Sequence, residues 1–302
     1  MRFPPEGLLY DTLENQEAIA GRRGLETACI EGRVLEARAV RCDGNCNLYV
    51  ELCGHTVAIP RGEAVIDPAR QKDVAILSRV GRPVCFKVLH VSNSHAEEPR
   101  FVLSRRAAQE EAMDYFMTKL SPGEILWCRV TRLECFGAFV DIGRGIPSFI
   151  GIENISVSRI RHPADRFRLG QLIPAVVTEI DRALNRVSLS HKELLGTWEE
   201  NAAFFNAGDT VEGIVRGLEP YGVFIELSPN LSGLAEPRAD LHEGQRVCVY
   251  IKSIIPEKMK IKLSVVDVLP DCPIRRPLRY FMPGRRIVGW DYGNDTAERP
   301  AE

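Results

Sequence analysis

Residues 134–143 read ECFGAFVDIG, and this stretch decides how the rest of the chain is interpreted. Successive side chains of a β-strand point to opposite faces. Val140 and Ile142 therefore share one face, which the alternation predicts to be the core. Phe139 shares the other face with Asp141, so the pattern predicts an aromatic ring that faces solvent.

Phe136, three residues before Phe139, has two alternative positions. Strict alternation directs its ring into the core. A bend at Gly137 would instead bring both rings to one surface, since glycine within a strand often marks a bulge.

The aromatic strand occurs three times. Tyr49–Leu52, Phe139–Ile142 and Phe224–Leu227 each read aromatic, apolar, acidic, apolar. A second strand repeats in phase with the first, as RFVLS, RVSLS and KIKLS. Elements that recur in the same order indicate a tandem array of similar units.

Each unit reads as five short strands separated by glycine turns, which is typical of a small closed barrel of the oligonucleotide/oligosaccharide-binding (OB) type. A β-sandwich is the alternative. The predicted fold class is all-β, with tandem five-stranded OB-fold barrels joined by short α-helical linkers. The predicted order is an N-terminal arm (1–23), a degenerate first repeat (24–106), a helical linker (107–120), the central repeat (121–192), a second helical linker (193–206), a shortened third repeat (207–266) and a basic, aromatic C-terminal tail (267–302).

Helix-forming residues at helical spacing predict that both linkers are short helices packed against the barrels. Trp198 and Phe204 lie in the second linker. Their position favours packing between units over stacking on a ligand.

Composition excludes several classes of protein. The net charge of −2 leaves no whole-protein basic field for duplex DNA. No segment is apolar over the length that spans a bilayer, and the start lacks a signal-peptide pattern, so we expect a cytoplasmic chain without membrane contact. Cys42, Cys46 and Cys53 could suggest a metal, but their spacing favours reduced thiols, and no cofactor is expected.

The central unit resembles the S1 RNA-binding domain, the repeat named after the largest protein of the bacterial small ribosomal subunit. The motifs that carry the resemblance are PGEILWCRV, FGAFVDIG, GIPSFIGIENIS and RVSLSHK, in that order. The whole chain resembles small bacterial proteins that carry tandem copies of this domain. The resemblance implies a barrel that binds single-stranded RNA.

In that family, two surface aromatics, a third-strand aromatic or histidine, an aspartate and an arginine form the binding site. The resemblance therefore implies Phe136, Phe139, Asp181 and Arg186 as RNA-binding residues of the central unit. Its third-strand position is Gly151, which removes one expected contact. For the two charged residues, a turn charge or a local ion pair is the alternative role.

The other two units keep fewer of these residues. The third unit supplies Tyr221, Phe224 and Lys260, with Pro256 at the aspartate position and Glu236 at the third-strand position. The first unit keeps Tyr49 and Arg100. It has Cys46 in place of the first aromatic and Pro60 at the third-strand position. We expect the first unit to bind protein or to support the fold.

The tail, residues 273–295, interleaves arginines with aromatic residues. It is predicted either to contact RNA or to dock on a barrel. The residues concerned are Arg275, Arg276, Arg279, Tyr280, Phe281, Arg285, Arg286, Trp290 and Tyr292.

The predicted function is non-enzymatic binding of single-stranded RNA, including messenger RNA, with little sequence preference. The predicted context is translation in a bacterial cell, with the small ribosomal subunit as a partner. A protein-interaction scaffold is the alternative, favoured by Gly151, Pro256 and Glu236. The chain lacks the zinc, phosphate-loop and nucleophile-elbow motifs of common hydrolases, and no active site is expected.

Overall fold

A computed structural model describes residues 1–67, 72–92, 100–270, 278–282, 284–287 and 289–293. Three five-stranded units follow one another along the chain. The all-β class, the repeated OB-type units and the helical linkers that the sequence predicts are confirmed, and the sandwich alternative is not.

The first unit follows helices α1 (Leu13–Ala20) and α2 (Arg22–Glu31). Its elements are β1 (Val34–Cys42), β2 (Leu48–Leu52), β3 (His55–Ile59), α3 (Arg61–Ala64), α4 (Val74–Leu77), β4 (Pro83–Ser92) and β5 (Arg100–Ser104). The strand order is β3-β2-β1-β4-β5, and no ladder joins β3 to β5 within the described ranges. The first unit is therefore a nearly closed barrel, whereas the sequence predicted a closed one. Pro60 directly follows β3 and has no N–H to donate across the seam.

The central and third units are closed barrels. The central unit consists of α5 (Arg105–Thr118), β6 (Ile125–Glu134), β7 (Gly137–Asp141), β8 (Pro147–Gly151), β9 (Leu172–Asp181) and β10 (Arg186–Ser190). The third consists of α6 (Trp198–Ala202), β11 (Thr210–Glu219), β12 (Gly222–Ser228), β13 (Leu231–Ala235), β14 (Arg246–Ile255) and β15 (Lys260–Val268). The barrel orders are β10-β8-β7-β6-β9 and β11-β12-β13-β15-β14.

Alternation on the strands places the core as predicted. Val140 and Ile142 are buried in the central barrel, together with Phe116 of α5. Trp198 is buried in the third barrel, so the expectation that it packs is confirmed. Phe204 was also expected to pack between units, but 53% of this residue is exposed.

The N-terminal arm fills the joint between the first and central units. The carboxylate of Glu6 accepts hydrogen bonds from Arg105 at 2.7 and 3.0 Å and from the Cys85 N–H at 3.1 Å, and it pairs with Arg79 at 3.2 Å. The Glu6 N–H donates to Asp141 at 2.8 Å. Asp141 lies on the same side of its strand as Phe139, as predicted, but the arm covers it. The expectation that this carboxylate faces solvent is wrong.

Charge interactions stabilise this joint. Burial disfavours the charged form of Glu6, yet the guanidinium groups of Arg105 and Arg79 outweigh it and lower the pKa of Glu6 to about 2. Burial and the neighbouring charge of Glu6 raise the pKa of Asp141 to about 6.

A loop of the central unit contacts the third barrel. Arg166 pairs with Glu226 at 2.6 Å, and both side chains are buried. The Ser158 N–H donates to the carbonyl of Pro229, and the Val157 N–H donates to the side chain of Asn230, both at 3.0 Å. Glu226 occupies the acidic position of the repeat, the same position as Asp141 in the central unit.

The described part of the tail docks on both barrels, which favours the docked alternative. The Ile125 N–H donates to Arg285 O at 3.0 Å, and the Ile287 N–H donates to Gly123 O at 2.8 Å. The chain then returns to the third unit, where the Trp198 N–H donates to Tyr292 O at 3.0 Å. Arg275 and Arg276 lie outside the described residues.

His191 joins the tail to the central barrel. It is fully buried, with Nδ1 2.9 Å from Ile155 O and Nε2 3.2 Å from the Tyr280 hydroxyl. Burial, reinforced by the charge of Arg166, lowers the pKa of His191 to about 4.

The depressed pKa of His191 predicts a loss of stability in acid. Below about pH 6.5 the unfolded chain gains a proton on His191 that the folded chain does not accept. The free energy of unfolding therefore falls as the pH drops from about 6.5 towards 4. Between pH 7 and pH 5, wild type should lose about 2 kcal/mol more than His191→Gln, measured by urea unfolding. Identical losses would contradict the prediction.

Two further features bear on function. Cys42, Cys46 and Cys53 are free thiols, and no group of His, Cys, Asp and Glu side chains among the described residues could hold a metal ion. None of the described helices has the length and apolar character needed to cross a membrane.

Candidate nucleic-acid interface

Three phenylalanine rings lie together on the outer surface of the central barrel. Phe136 is 54% exposed, and Phe139 and Phe149 are half-buried. The ring centroids are 6.2 Å apart for Phe136 and Phe139, 5.7 Å for Phe136 and Phe149, and 5.1 Å for Phe139 and Phe149. Phe136 therefore takes the outward alternative, and its ring meets that of Phe139 edge to face.

Gly137 makes room for this cluster. A Cβ atom there would overlap the carbonyl oxygen of Ile150 and the ring of Phe149. The ring of Phe149 thus lies directly over the glycine backbone, so the glycine that the sequence singled out for a bend also accommodates a third ring.

A Gly137→Ala variant tests this packing. The added methyl group must displace either a barrel strand or the Phe149 ring, and overpacking of this kind costs about 1–3 kcal/mol. We expect that loss in urea unfolding, together with a change in Phe149 side-chain resonances by NMR. Gly44→Ala is the control, because a Cβ at Gly44 meets no neighbour. Equal stability of the two variants would contradict the account.

Strand pairing places the rings within a row that crosses the barrel, here called the central row. It runs from Arg132 through Phe139, Phe149 and Ser188 to Glu179, each directly opposite the next. Side chains that are directly opposite in a sheet share a face and contact one another. Arg132 is exposed and pairs with Glu134.

The predicted charged residues lie at one end of this face. Arg186 is exposed and opposes Asp181 in the β9–β10 hairpin. It stands two residues before Ser188 and so on the same side of β10. Asp181 accepts hydrogen bonds from the N–H groups of Ala183 at 2.9 Å and Leu184 at 3.0 Å. One carboxylate oxygen therefore holds the turn, in line with the alternative role.

The third barrel repeats the arrangement. The rings of Tyr221 and Phe224 are 6.2 Å apart with an interplanar angle of 89°, the same distance and angle as the Phe136–Phe139 pair. Tyr221 is 66% exposed. The equivalent third row consists of Gly217, Phe224, Leu234, Lys262 and Ser253.

The polar residues of the third unit differ in part from expectation. Lys260 is exposed and stands at the register of Arg186. Its partner across the hairpin is Ile255, so the assignment of the aspartate position to Pro256 is off by one residue. Glu236, at the third-strand position, is exposed. Its carboxylate oxygen lies 2.8 Å from the Lys252 Nζ and forms an ion pair with it.

In the first unit, the side chain of Arg41 covers the ring at the aromatic position of the repeat, Tyr49. The guanidinium carbon of Arg41 lies 4.1 Å from the centroid of the Tyr49 ring, and the Tyr49 hydroxyl donates to Asp43 at 3.1 Å. Cys46, in place of the first aromatic, is buried. Arg100 is exposed at the start of β5. No second aromatic ring contacts Tyr49 in the part of the chain that the structure describes.

Sequence reasoning missed Phe149 and Lys262. Alternation along β8 was the available signal for Phe149, because residues 147, 149 and 151 must share a face. The same alternation from Lys260 indicates Lys262. Phe149 lies within the motif GIPSFIGIENIS and Lys262 within the repeat KIKLS, but the resemblance implies no binding role for either. Strand register places each beside an aromatic or apolar partner.

Comparison with known proteins supports the resemblance. Residues 119–192 match the family model for the S1 RNA binding domain. The small ribosomal subunit protein bS1 of Leuconostoc lactis is 35% identical over 292 residues, which cover 91% of this chain and 65% of that protein. The bS1 protein of Staphylococcus aureus strain N315 is 32% identical over 199 residues, covering 61% of this chain and 51% of that protein. The chain thus spans about half the length of the latter.

A solved structure from Streptococcus pneumoniae, described as a multidomain protein with nucleic acid binding domains, is also similar. It is 15% identical and covers 78% of this chain and 73% of that chain. The TM-score between the two chains is 0.26.

Proposed function

We propose, on the premise that residues 119–192 form an S1 RNA-binding domain, that the chain binds single-stranded RNA without a catalytic step. The observation that carries the proposal is the surface cluster of Phe136, Phe139 and Phe149. Three rings on the outside of a closed barrel contribute little to its core, yet they offer flat faces to unpaired bases. Stacking of a base on an aromatic ring is worth about 1–3 kcal/mol and tolerates any base.

Low sequence preference follows from the same chemistry. The rings supply no hydrogen-bond pattern that would distinguish one base from another, and the exposed cations Arg186 and Lys260 suit phosphate. Two barrels on one chain raise the effective concentration of the second site once the first is bound. Weak sites in tandem thus suit a protein that holds varied single strands.

The cellular context is proposed from the relatives. Those reported above are small ribosomal subunit proteins of bacteria. We propose that this chain acts in translation in the bacterial cytoplasm, on messenger RNA and in association with the small ribosomal subunit. Phe149 restores a third ring beside Gly151, which weakens the case for a scaffold that has lost RNA binding.

The test compares three ligands of matched length and sequence: labelled single-stranded RNA, the same RNA in a duplex, and single-stranded DNA. Titrations over a range of salt concentrations should give the tightest binding to single strands and similar affinities for scrambled sequences. The A-form major groove is too narrow for side chains, so the duplex should bind more weakly. Equal binding of duplex and single strand, or no binding, would contradict the proposal. RNA cleavage during the assay would contradict the absence of catalysis.

A further inference from the structure

The two closed barrels carry the same aromatic geometry but different charges beside it. The central row leads from Phe149 to Ser188 and then to Glu179, which is exposed. At the same register, the third row leads from Leu234 to Lys262 and then to Ser253. A cation thus stands in the third barrel where the central barrel has a hydroxyl, and an acid of the central barrel is replaced by serine.

The remaining charges widen this difference. On the central face the cation of Arg132 is paired with Glu134. Arg186 stands opposite the acidic residue Asp181 across the hairpin. On the third face Lys260 and Lys262 are both exposed on the same side of β15. The carboxylate of Glu236 is taken by Lys252 rather than by either of them.

The aromatic side chains of the two faces differ in the opposite direction, because the central face has more of them. The central face holds three mutually contacting rings, whereas the third face holds two rings and the aliphatic side chain of Leu234. An aliphatic side chain gives a base less of a stacking platform than a ring does. The central barrel is therefore richer in rings, and the third barrel carries more net positive charge beside its rings.

We propose that the two barrels divide the contacts with one RNA strand. The central barrel supplies most of the base stacking, through Phe139 and Phe149, and the third barrel, which has fewer rings, supplies most of the phosphate contacts through Lys260 and Lys262. This inference rests on the proposed function and assigns its two kinds of contact to different parts of the chain.

Salt dependence separates the two contributions. Each phosphate neutralised by a protein cation on a single strand adds about 0.7 to the slope of log affinity against log salt concentration. Stacking on an uncharged ring releases no counterions. Loss of Lys260 and Lys262 should therefore change the slope, whereas loss of the rings should change the affinity at every salt concentration.

The experiment uses the full chain and a labelled single-stranded RNA long enough to reach both barrels. Lys260→Ala/Lys262→Ala should flatten the salt slope by about 1.4, which is two phosphates at about 0.7 each. Phe139→Ala/Phe149→Ala should weaken binding with the slope unchanged. Lys72→Ala/Lys119→Ala removes two exposed charges outside both rows, and Leu169→Ala removes an exposed apolar side chain of the central unit outside its row. Both controls should behave as wild type.

The outcomes distinguish the division from the proposed function. If wild type binds single strands but the Lys260/Lys262 variant keeps the wild-type slope, or the Lys72/Lys119 control flattens it equally, the division is overturned. A flattened slope in the Phe139/Phe149 variant would overturn it as well. Absence of binding by wild type at any salt concentration would overturn the proposed function itself.

Discussion

A Phe139→Ala/Phe224→Ala variant is expected to bind single-stranded RNA more weakly by about 1–3 kcal/mol for each lost stack. Each substitution removes the aromatic ring at the second position of its row, Phe139 in the central barrel and Phe224 in the third. Per stack, this corresponds to a loss of affinity of roughly 5-fold to 150-fold. Titration of a labelled single strand against wild type and variant measures it directly.

The matched control for this variant is Phe204→Ala. Phe204 is also an exposed ring, but it lies in the linker segment, where the Arg279 guanidinium carbon stands 3.9 Å from its centroid. Its loss should leave RNA affinity close to that of wild type. Circular dichroism and urea unfolding check that the double variant folds. If a folded double variant binds RNA as tightly as Phe204→Ala does, stacking on the barrels is not the mode of binding.

The joint between the first and central units carries the second large effect. Only 6% of the Glu6 side chain and 2% of the Arg105 side chain are exposed, and the pair is 2.7 Å apart. Removing one charge from a buried pair leaves the other uncompensated in a medium of low polarity, which costs about 3–5 kcal/mol. Glu6→Gln should therefore lower the free energy of unfolding by that amount in urea.

Glu26→Gln provides a comparison with the same chemical change at the surface. Glu26 pairs with Arg22 at 2.7 Å, but 37% of the Glu26 side chain and 46% of the Arg22 side chain are exposed to solvent. Water screens such a pair, and its loss costs about 0–1 kcal/mol. If the two substitutions destabilise the chain equally, Glu6 does not hold the joint.

Local sequence patterns predict the barrels because their cores depend on period-two alternation. Val140 and Ile142 are buried for this reason, and the same alternation exposes Phe139. The helical linkers follow equally from local composition. Closure of the first unit was not predictable in this way, because it depends on whether β3 and β5, far apart in sequence, form a ladder.

The sequence identified those site residues whose position depends on the pattern of a single strand. It did not identify residues that reach the site through the pairing of several strands. Phe136, Phe139, Tyr221 and Phe224 follow from a single repeated motif. Phe149 becomes part of the cluster through the pairing of β7 with β8, and its register is a tertiary property.

The repeated acidic position shows the same limit. Alternation places Asp141 and Glu226 on outward faces, where solvent exposure is the natural expectation. In the structure both are buried, one by the N-terminal arm and the other by Arg166. Contacts between units override the local pattern at these positions. These contacts between units also explain why an acidic residue recurs at this position of the repeat, although it belongs to neither the central row nor the third row.

The most direct test of RNA binding by the two barrels is photo-crosslinking. A single-stranded RNA that carries 4-thiouridine is bound to the full chain and irradiated, and the cross-linked peptides are identified by mass spectrometry. The account predicts cross-links in the segments 136–149 and 221–234, and none around Tyr49, whose ring is covered by Arg41. Cross-links confined to the first unit, or absent from both closed barrels, would contradict it.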